Sequence, residues 1–534
     1  MVSQKEPGGS TLFHAQVWNQ PAFRWKYPNP QEPTPPVIYE AHVGMAQCEP
    51  KVGTFEEFRR NILPRVAACG YNCLQLMAVA NHPYYASFGY HVTNFYAVTP
   101  LFGTPDDFKR LIDDAHGRGI RVIMDLVHSH SCPNELEGIG NLCGDRSQFF
   151  LPGERGVHQA WGSLCFDYAK PQVARFLLSN CRYWLEEYRL DGFRFDGVTS
   201  MLYHGHGLNR CFTSYADYFG PGVDWASCAY LSLANELVHV CRPQALAFAE
   251  DVSGMPGLAA PLEQGGLGFD YRLAMGVTDY WFKLLDIPDE HWSMSGLWHE
   301  TTNRRQDERT VSYVECHDQS LVGGRTFLFR CLGEEMYTGM DNPPTSPTVI
   351  RGLALHKMSR LLTAATAGHG YLTFMGNEFG HPEWVDFPRE GNGWSFDHAR
   401  RRWDLCDDPR LCFHGLWLFE RRLLHLLANH DLYASRPQLL RLDEDRKILA
   451  CERNGLVFVF NFHPENSYAD FQLEVPGGYF QLVLDSDNRD FCGLGRQTPV
   501  QRQVTCRIQA GDIVKNCLRL YLPSRTATVW QKLG

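Results

Sequence analysis

TPDDFKRLIDDAHGRGIRVIMDLVHSH, residues 104–130, decides the fold. Thr104 and Pro105 suit the cap and first turn of a helix. Phe108, Leu111, Ile112 and Ala115 then recur at helical spacing, and Gly117 and Gly119 end the run. RVIMDLVH (121–128) follows with almost no polar alternation, the pattern of a strand covered on both faces. A helix leading straight into such a strand is the unit of a parallel sheet.

The same unit recurs on both sides. Upstream, VIYEAHVG (37–44) and NCLQLMAVA (72–80) read as buried strands. TFEEFRRNILPRVAACG (54–70) between them reads as one helix, with Thr54 and Glu57 as a capping box and Gly70 as its end. Downstream, Pro171 opens a helix with Val173, Phe176, Leu177, Cys181, Trp184 and Leu185 on one face. GFRFDGV (192–198), ALAFAEDV (245–252), VSYVECHD (311–318) and GYLTFMGNE (370–378) complete seven strands, and FDYRLAMG (269–276) is a weaker eighth. Eight such units over about 340 residues predict an α/β fold, a (β/α)8 TIM barrel with long loops. We place it at 37–436, with 132–165 as an inserted loop domain. Residues 1–36 are polar and proline-rich, a linker or tail. From 437 to 534 the pattern turns to short β runs around Asn454-Gly455, which predicts a C-terminal antiparallel β-sandwich domain.

Composition narrows the function. The 534 residues carry 50 Lys and Arg against 60 Asp and Glu, a net charge of −10. That argues against nucleic acid or an anionic membrane as partner. No apolar run reaches the roughly 18 residues of a spanning helix, and the start lacks an apolar signal core. Eighteen cysteines lie scattered, several inside apolar runs such as NCLQLM and ILACE. They read as reduced, buried thiols in a reducing compartment.

In such a barrel, chemistry gathers at the C-terminal strand ends. These ends are acidic: Asp125 with His130 close behind, Arg194 and Asp196, Glu250 and Asp251, His317 and Asp318. Clustered carboxylates repel each other unless something compensates them, so a fold gains nothing from them alone. Helix caps account for one such residue more easily than for three. A divalent cation is a second account, but Arg194 sits badly beside one. His204 and His206 suit a polar rim better than a metal pair. Glycoside chemistry fits best, because it needs one carboxylate as nucleophile and one as acid/base. Arg194 shares a strand face with Asp196 and holds it ionised. His130 and His317 are placed to donate to sugar hydroxyls. Tyr84, Tyr85, Trp384 and Trp394 are candidate stacking rings.

DLVHSH, GFRFDGVTSM, AEDVSGMP and ECHDQ, in this order, resemble the four motif regions of the α-amylase superfamily. YYASFGYHVTNFYAV, MLYHGHG, QGGLGFDYRLAMG and FMGNEFGHPEWVDFPREGN are closely similar to eukaryotic 1,4-α-glucan (glycogen or starch) branching enzymes. The resemblance runs from about Tyr39 to about Pro523. It implies Asp196 as nucleophile, Glu250 as acid/base and Asp318 as transition-state stabiliser. It puts Arg194, His130 and His317 at substrate contacts, Tyr90 against the sugar at the cleavage site, and Asp125 as an organising acid. Trp384 joins them as a substrate contact. Cys316 replaces the family's usual Ser, and Gly324 an Asp. Family members carry an N-terminal carbohydrate-binding module; only 36 residues precede Val37 here, so the module is expected to be missing.

The implied reaction is a retaining double displacement that cleaves α-1,4 links and forms α-1,6 branches. No cofactor and no metal is expected. The expected partner is an α-1,4-glucan, the expected state a monomer, and the expected compartment the cytoplasm, with the plastid as the other candidate. Two rivals stand: an α-glucan hydrolase of the amylase or debranching type, and a non-catalytic glucan-binding protein.

Overall fold

The structure, a computed structural model, describes residues 2–5, 13–18, 20–31, 34–321, 324–510 and 513–533; parts of the 1–36 segment therefore lie outside the described residues. Eight parallel strands close into a barrel: β1 (Val37–Ala41), β2 (Cys73–Leu76), β3 (Arg121–Leu126), β4 (Gly192–Phe195), β5 (Leu246–Ala249), β6 (Tyr271–Leu273), β7 (Thr310–Ser312) and β8 (Gly370–Phe374). All eight were legible, the weak eighth candidate included.

The register explains where function sits. Side chains on a strand alternate between the barrel interior and the helix layer. Ile38, Cys73, Ile123 and Phe248 share one small core cluster, the packed inside of the barrel. Two residues further along the same strands, on the same face, come Glu40, Gln75, Asp125 and Glu250. The interior is thus apolar low down and polar at the top. Glu40 pairs in register with Gln75, Asp125 with Arg194, and Arg194 with Phe248. Tyr39, Leu74, Val122 and Ala247, of opposite parity, pack into the large outer core.

The helix expected over 54–70 is present, with the Thr54–Glu57 capping box and Gly70 at φ 107°. Its middle, Phe58–Ile62, widens into a π turn. Pro64 lacks an N–H and its ring crowds the carbonyl four residues back, and the wider turn relieves both. The helices over 105–116 and 171–187 start at their prolines as read. Residues 132–165 form irregular loops pinned by isolated bridges, Ser131 to Leu164 and Phe150 to Phe166.

Residues 438–533 form antiparallel strands in sheets of six and three, packed face to face over Val457, Phe471, Leu518 and Trp530. Asn454 (φ 47°) and Gly455 (φ 82°) make the expected hairpin turn. Arg453 docks this domain onto the barrel, donating to the carbonyls of Ala365, Ala367 and Gly368.

The segment before the barrel is not a free linker over its described part. The Lys26 and Tyr27 N–H groups donate to Asp113, Asn29 donates to Asp191, and Trp25 lies under the Arg189 guanidinium. No described helix is long and apolar enough to cross a membrane. All eighteen cysteines are free, and only Cys143 and Cys211 are exposed.

Candidate active site

Strands β3, β4 and β5 deliver Asp125, Arg194, Asp196 and Glu250 to the top of the barrel, and Arg194 organises them. One of its terminal nitrogens donates to Asp125 and to Asp196, at 2.9 Å each; the other lies 3.2 Å from Glu250. The guanidinium is 2 % exposed. Side-chain exposure rises outward from Asp125 (0 %) through Asp196 (13 %) and Glu250 (17 %) to Asp318 (38 %). One buried cation thus anchors a graded set of carboxylates that opens toward solvent. Glu250 is also fixed from behind, accepting the Gly197 N–H at 2.7 Å.

Burial pushes the Glu250 carboxyl up to about 7; Arg194 opposes the rise, while Asp196 and Asp318 add to it. Burial raises Asp196 as well, against the pull of Arg194. Asp196 and Glu250 share one guanidinium, so they lose their protons as a set. Asp125, the most buried, is driven up to about 6 by burial.

A second network holds Asp318. The His317 Nδ1 donates to Glu40 at 2.7 Å, and its Nε2 lies 3.2 Å from Asp318. The Tyr90 hydroxyl donates to Asp125 at 2.7 Å, and its ring stacks on His317 with centroids 5.6 Å apart. Burial disfavours a charged His317, but Asp318 and Glu40 outweigh it and raise the ring to about 10. His317 is therefore an imidazolium at neutral pH. For Asp318, burial acts upward, and His317 and Arg194 reverse it, so its carboxyl sits below the usual range.

His130 behaves differently from expectation. Burial lowers it to about 3, so it is neutral. Its Nε2 donates to the Tyr90 carbonyl at 2.9 Å. A neutral ring has one N–H, so none is left for a sugar hydroxyl, and His130 fixes Tyr90 instead.

These groups line a cavity of about 620 Å³ that holds Tyr90, His130, Asp196, Glu250, His317 and Asp318 together. Trp384 is not among its lining residues. Its ring lies flat on His398 at 4.2 Å and meets Phe329 edge-on, away from the residues that line the cavity. Trp394 does not line the cavity either. Tyr84 does, whereas Tyr85 packs inward against Phe387 and His42. Asp251 turns away, held by Thr199, Ser253 and Arg272.

Three residues escaped the sequence reading. Glu40 and Gln75 sit inside strands read only as apolar; their signal is a charged or amide group at an interior position of a buried run. Gln75 donates to Asp125 at 2.9 Å and to Glu40 at 3.2 Å, joining the two networks. Trp161 lines the cavity 42 % exposed, stacked on His158 at 3.8 Å and 5°. Its signal is a lone tryptophan in a glycine-bearing loop of the insertion. Cys316, His317 and Glu40 have the spacing of a metal cluster. In this structure the His317 Nδ1 is engaged by Glu40, and the Cys316 thiol donates to Asp318 and Gln319.

A closed (β/α)8 barrel with carboxylates and an arginine at consecutive strand ends, followed by an antiparallel β domain, defines an α-amylase-type protein. Residues 64–137 match the α-amylase catalytic domain and residues 441–532 the α-amylase C-terminal all-β domain. The fold is similar to an α-amylase from Geobacillus thermoleovorans, with a TM-score of 0.67 at 16 % identity over 93 % of this chain and 98 % of that one. Sequence comparison is sharper. A 1,4-α-glucan-branching enzyme of Yarrowia lipolytica is 48 % identical over 98 % of this chain and 78 % of its own length. One from Felis catus is 48 % identical over 96 % and 74 %, and one from Solanum tuberosum 50 % identical over 91 % and 58 %. The chain belongs to the 1,4-α-glucan-branching enzyme family.

Proposed function

We propose that the chain is a retaining 1,4-α-glucan branching enzyme in which Asp196 is the nucleophile, Glu250 the acid/base and Asp318 the stabiliser of the transition state. The observation that carries this is Arg194, which reaches both Asp196 and Glu250 from one buried position. In the first step Asp196 attacks the anomeric carbon of an α-1,4 link, and Glu250 gives its proton to the departing 4-oxygen. A covalent glycosyl ester on Asp196 results. In the second step Glu250 takes the proton from a 6-hydroxyl of an acceptor chain. That oxygen displaces Asp196, and an α-1,6 branch forms with retention.

The roles follow from the environments. A carboxyl raised to about 7 arrives protonated below that pH, as the acid must. Asp196 keeps the Arg194 hydrogen bond, which favours its anionic form once the pair has lost a proton. Asp318, held anionic beside the His317 imidazolium, meets the developing positive charge of the oxocarbenium. The reading extends to a monomer acting on soluble glycogen or starch-like chains in the cytoplasm.

The test is incubation with amylose, following iodine colour and reducing ends together. Branching lowers the colour with little gain in reducing ends. A parallel rise in reducing ends assigns the chain to hydrolysis and sinks the proposal.

A further inference from the structure

The connection from β5 to β6 departs from the rest of the barrel. Every other connection carries an α-helix; residues 250–270 carry a 3-10 turn, Leu262–Gln264, among the described residues. The outer wall of β6 and β7 is left open there. A groove of about 550 Å³ fills the space, within the range of ligand sites. It meets the catalytic cleft at Val252, which lines both and is 67 % exposed.

The groove is lined by Tyr218, Asp279, Glu300, Asn303 and Arg305, among others. Arg305 gives one N–H to the Gly254 carbonyl at 2.9 Å and lies over the Tyr218 ring. A guanidinium has five N–H donors, so most remain for a ligand. Val252, Leu273, Met275 and Val277 add apolar surface; donors, acceptors, an aromatic ring and apolar patches within one open groove are what a polyhydroxylated chain with apolar sugar faces requires. Tyr215, 72 % exposed, and Phe219, 38 % exposed, stack on each other next to Tyr218 in the chain and extend the aromatic surface.

We propose that this groove binds a second strand of α-glucan beside the one in the cleft, the strand that accepts the transferred segment. The inference rests on the branching reading: in the second step an acceptor chain must stand beside the glycosyl ester held on Asp196. The Val252 rim is where a strand in the groove comes next to Glu250, which must take the acceptor's proton.

Two kinds of variant test it. Gly276 lines the groove, and a Cβ added there meets nothing within 4 Å; Gly276→Trp puts a bulky ring into the space. Asn303→Ala with Arg305→Ala removes polar contacts. Retardation in amylopectin gels measures binding without reference to activity. The ratio of α-1,6 links formed to reducing ends released measures acceptor use. Both variants should lose retardation several-fold and shift the ratio toward hydrolysis several-fold, with cleavage of a short cleft-spanning oligosaccharide unchanged. A lowered ratio with normal retardation also supports the acceptor role. Lost retardation with an unchanged ratio assigns the groove to the donor's own tail and overturns the acceptor role. Unchanged retardation and ratio in folded variants overturn the site altogether. A wild-type chain that forms no α-1,6 links would sink the branching reading, while the gel still reports on the groove.

Discussion

Glu40→Gln is the sharpest probe of how the site is held. Glu40 is 2 % exposed and accepts both the ring Nδ1–H of His317 at 2.7 Å and the His317 backbone N–H at 3.1 Å. His317 stands at about 10 in the folded chain against 6.5 unfolded. A raised histidine adds stability that is full below the unfolded value and is lost as pH rises through the folded one. Between pH 6.5 and 8.5 the unfolded ring gives up its proton while the folded ring keeps it. Two units at 1.36 kcal/mol each make this residue's share of the loss about 2–3 kcal/mol. Glutamine keeps the shape and removes the charge. Losing an adjacent charge moves a buried group by about 1–3 units. Asp318, more exposed and 3.2 Å away, is then the remaining carboxylate partner. With a drop of about 3 units, the pH-dependent loss in the variant shrinks to about 1 kcal/mol or less. The variant is also less stable than wild type at pH 6. Urea unfolding of both proteins at pH 6 and pH 8.5 measures the double difference. Parallel losses in wild type and variant would refute the claim that Glu40 is the main support of the charge on His317 and would pass that place to Asp318.

Asp196→Ala should abolish transfer and cost only about 1–2 kcal/mol of stability, because Arg194 keeps Asp125 and Glu250 as partners; urea unfolding and the amylose assay check the two halves. Glu250→Gln should block turnover of natural glucan, yet a glycosyl fluoride needs no acid to leave, so mass spectrometry should find the adduct on the Asp196 peptide. The cleavage step should slow as pH rises through about 7, where Glu250 loses the proton it must donate; a rate flat from pH 6 to 8 would contradict the acid assignment. Trp161→Ala should lower kcat/KM about tenfold, or about 1.4 kcal/mol, by removing a stacking face, whereas Trp384→Ala should leave kcat/KM for oligosaccharides unchanged.

The fold was legible because its signals are local. Helix caps at Thr54 and Thr104, prolines at 105 and 171, and apolar runs of strand length lie within a few residues of each other. The π turn before Pro64 was not, since a proline there reads equally as a kink or a continuation. The gathering of Asp196, Glu250 and Asp318 in one cleft was legible because each stands just past a buried run. The tryptophans were not. Trp161 and Trp384 are both tryptophans in irregular segments, and which one faces the cleft depends on what else packs against each ring. Each ring has one histidine stacked on it, His398 fourteen residues beyond Trp384 and His158 three before Trp161, but only Trp161 lines the cleft.

Glu40 shows the same division within a regular strand. Period-two alternation places it inside the barrel as surely as it places Ile38. Nothing in VIYEAHVG says what it meets there, because its partner His317 lies 277 residues further on. Burying a carboxylate without a partner costs several kcal/mol, so an acid in an apolar strand implies a cation somewhere in the fold. Barrel closure brings β8 beside β1 and the start of the 317–320 helix over both, which supplies that cation. The charge on His317 thus depends on the ring of strands being closed, and the position of Asp318 depends on His317. The same logic applies to Arg194 among Asp125, Asp196 and Glu250: each carboxylate is tolerable only while the guanidinium stays, and the guanidinium stays buried only while they surround it. Closing the barrel and setting the protonation states of the carboxylates are therefore one event, and a chain that leaves the barrel open has no correctly charged active site.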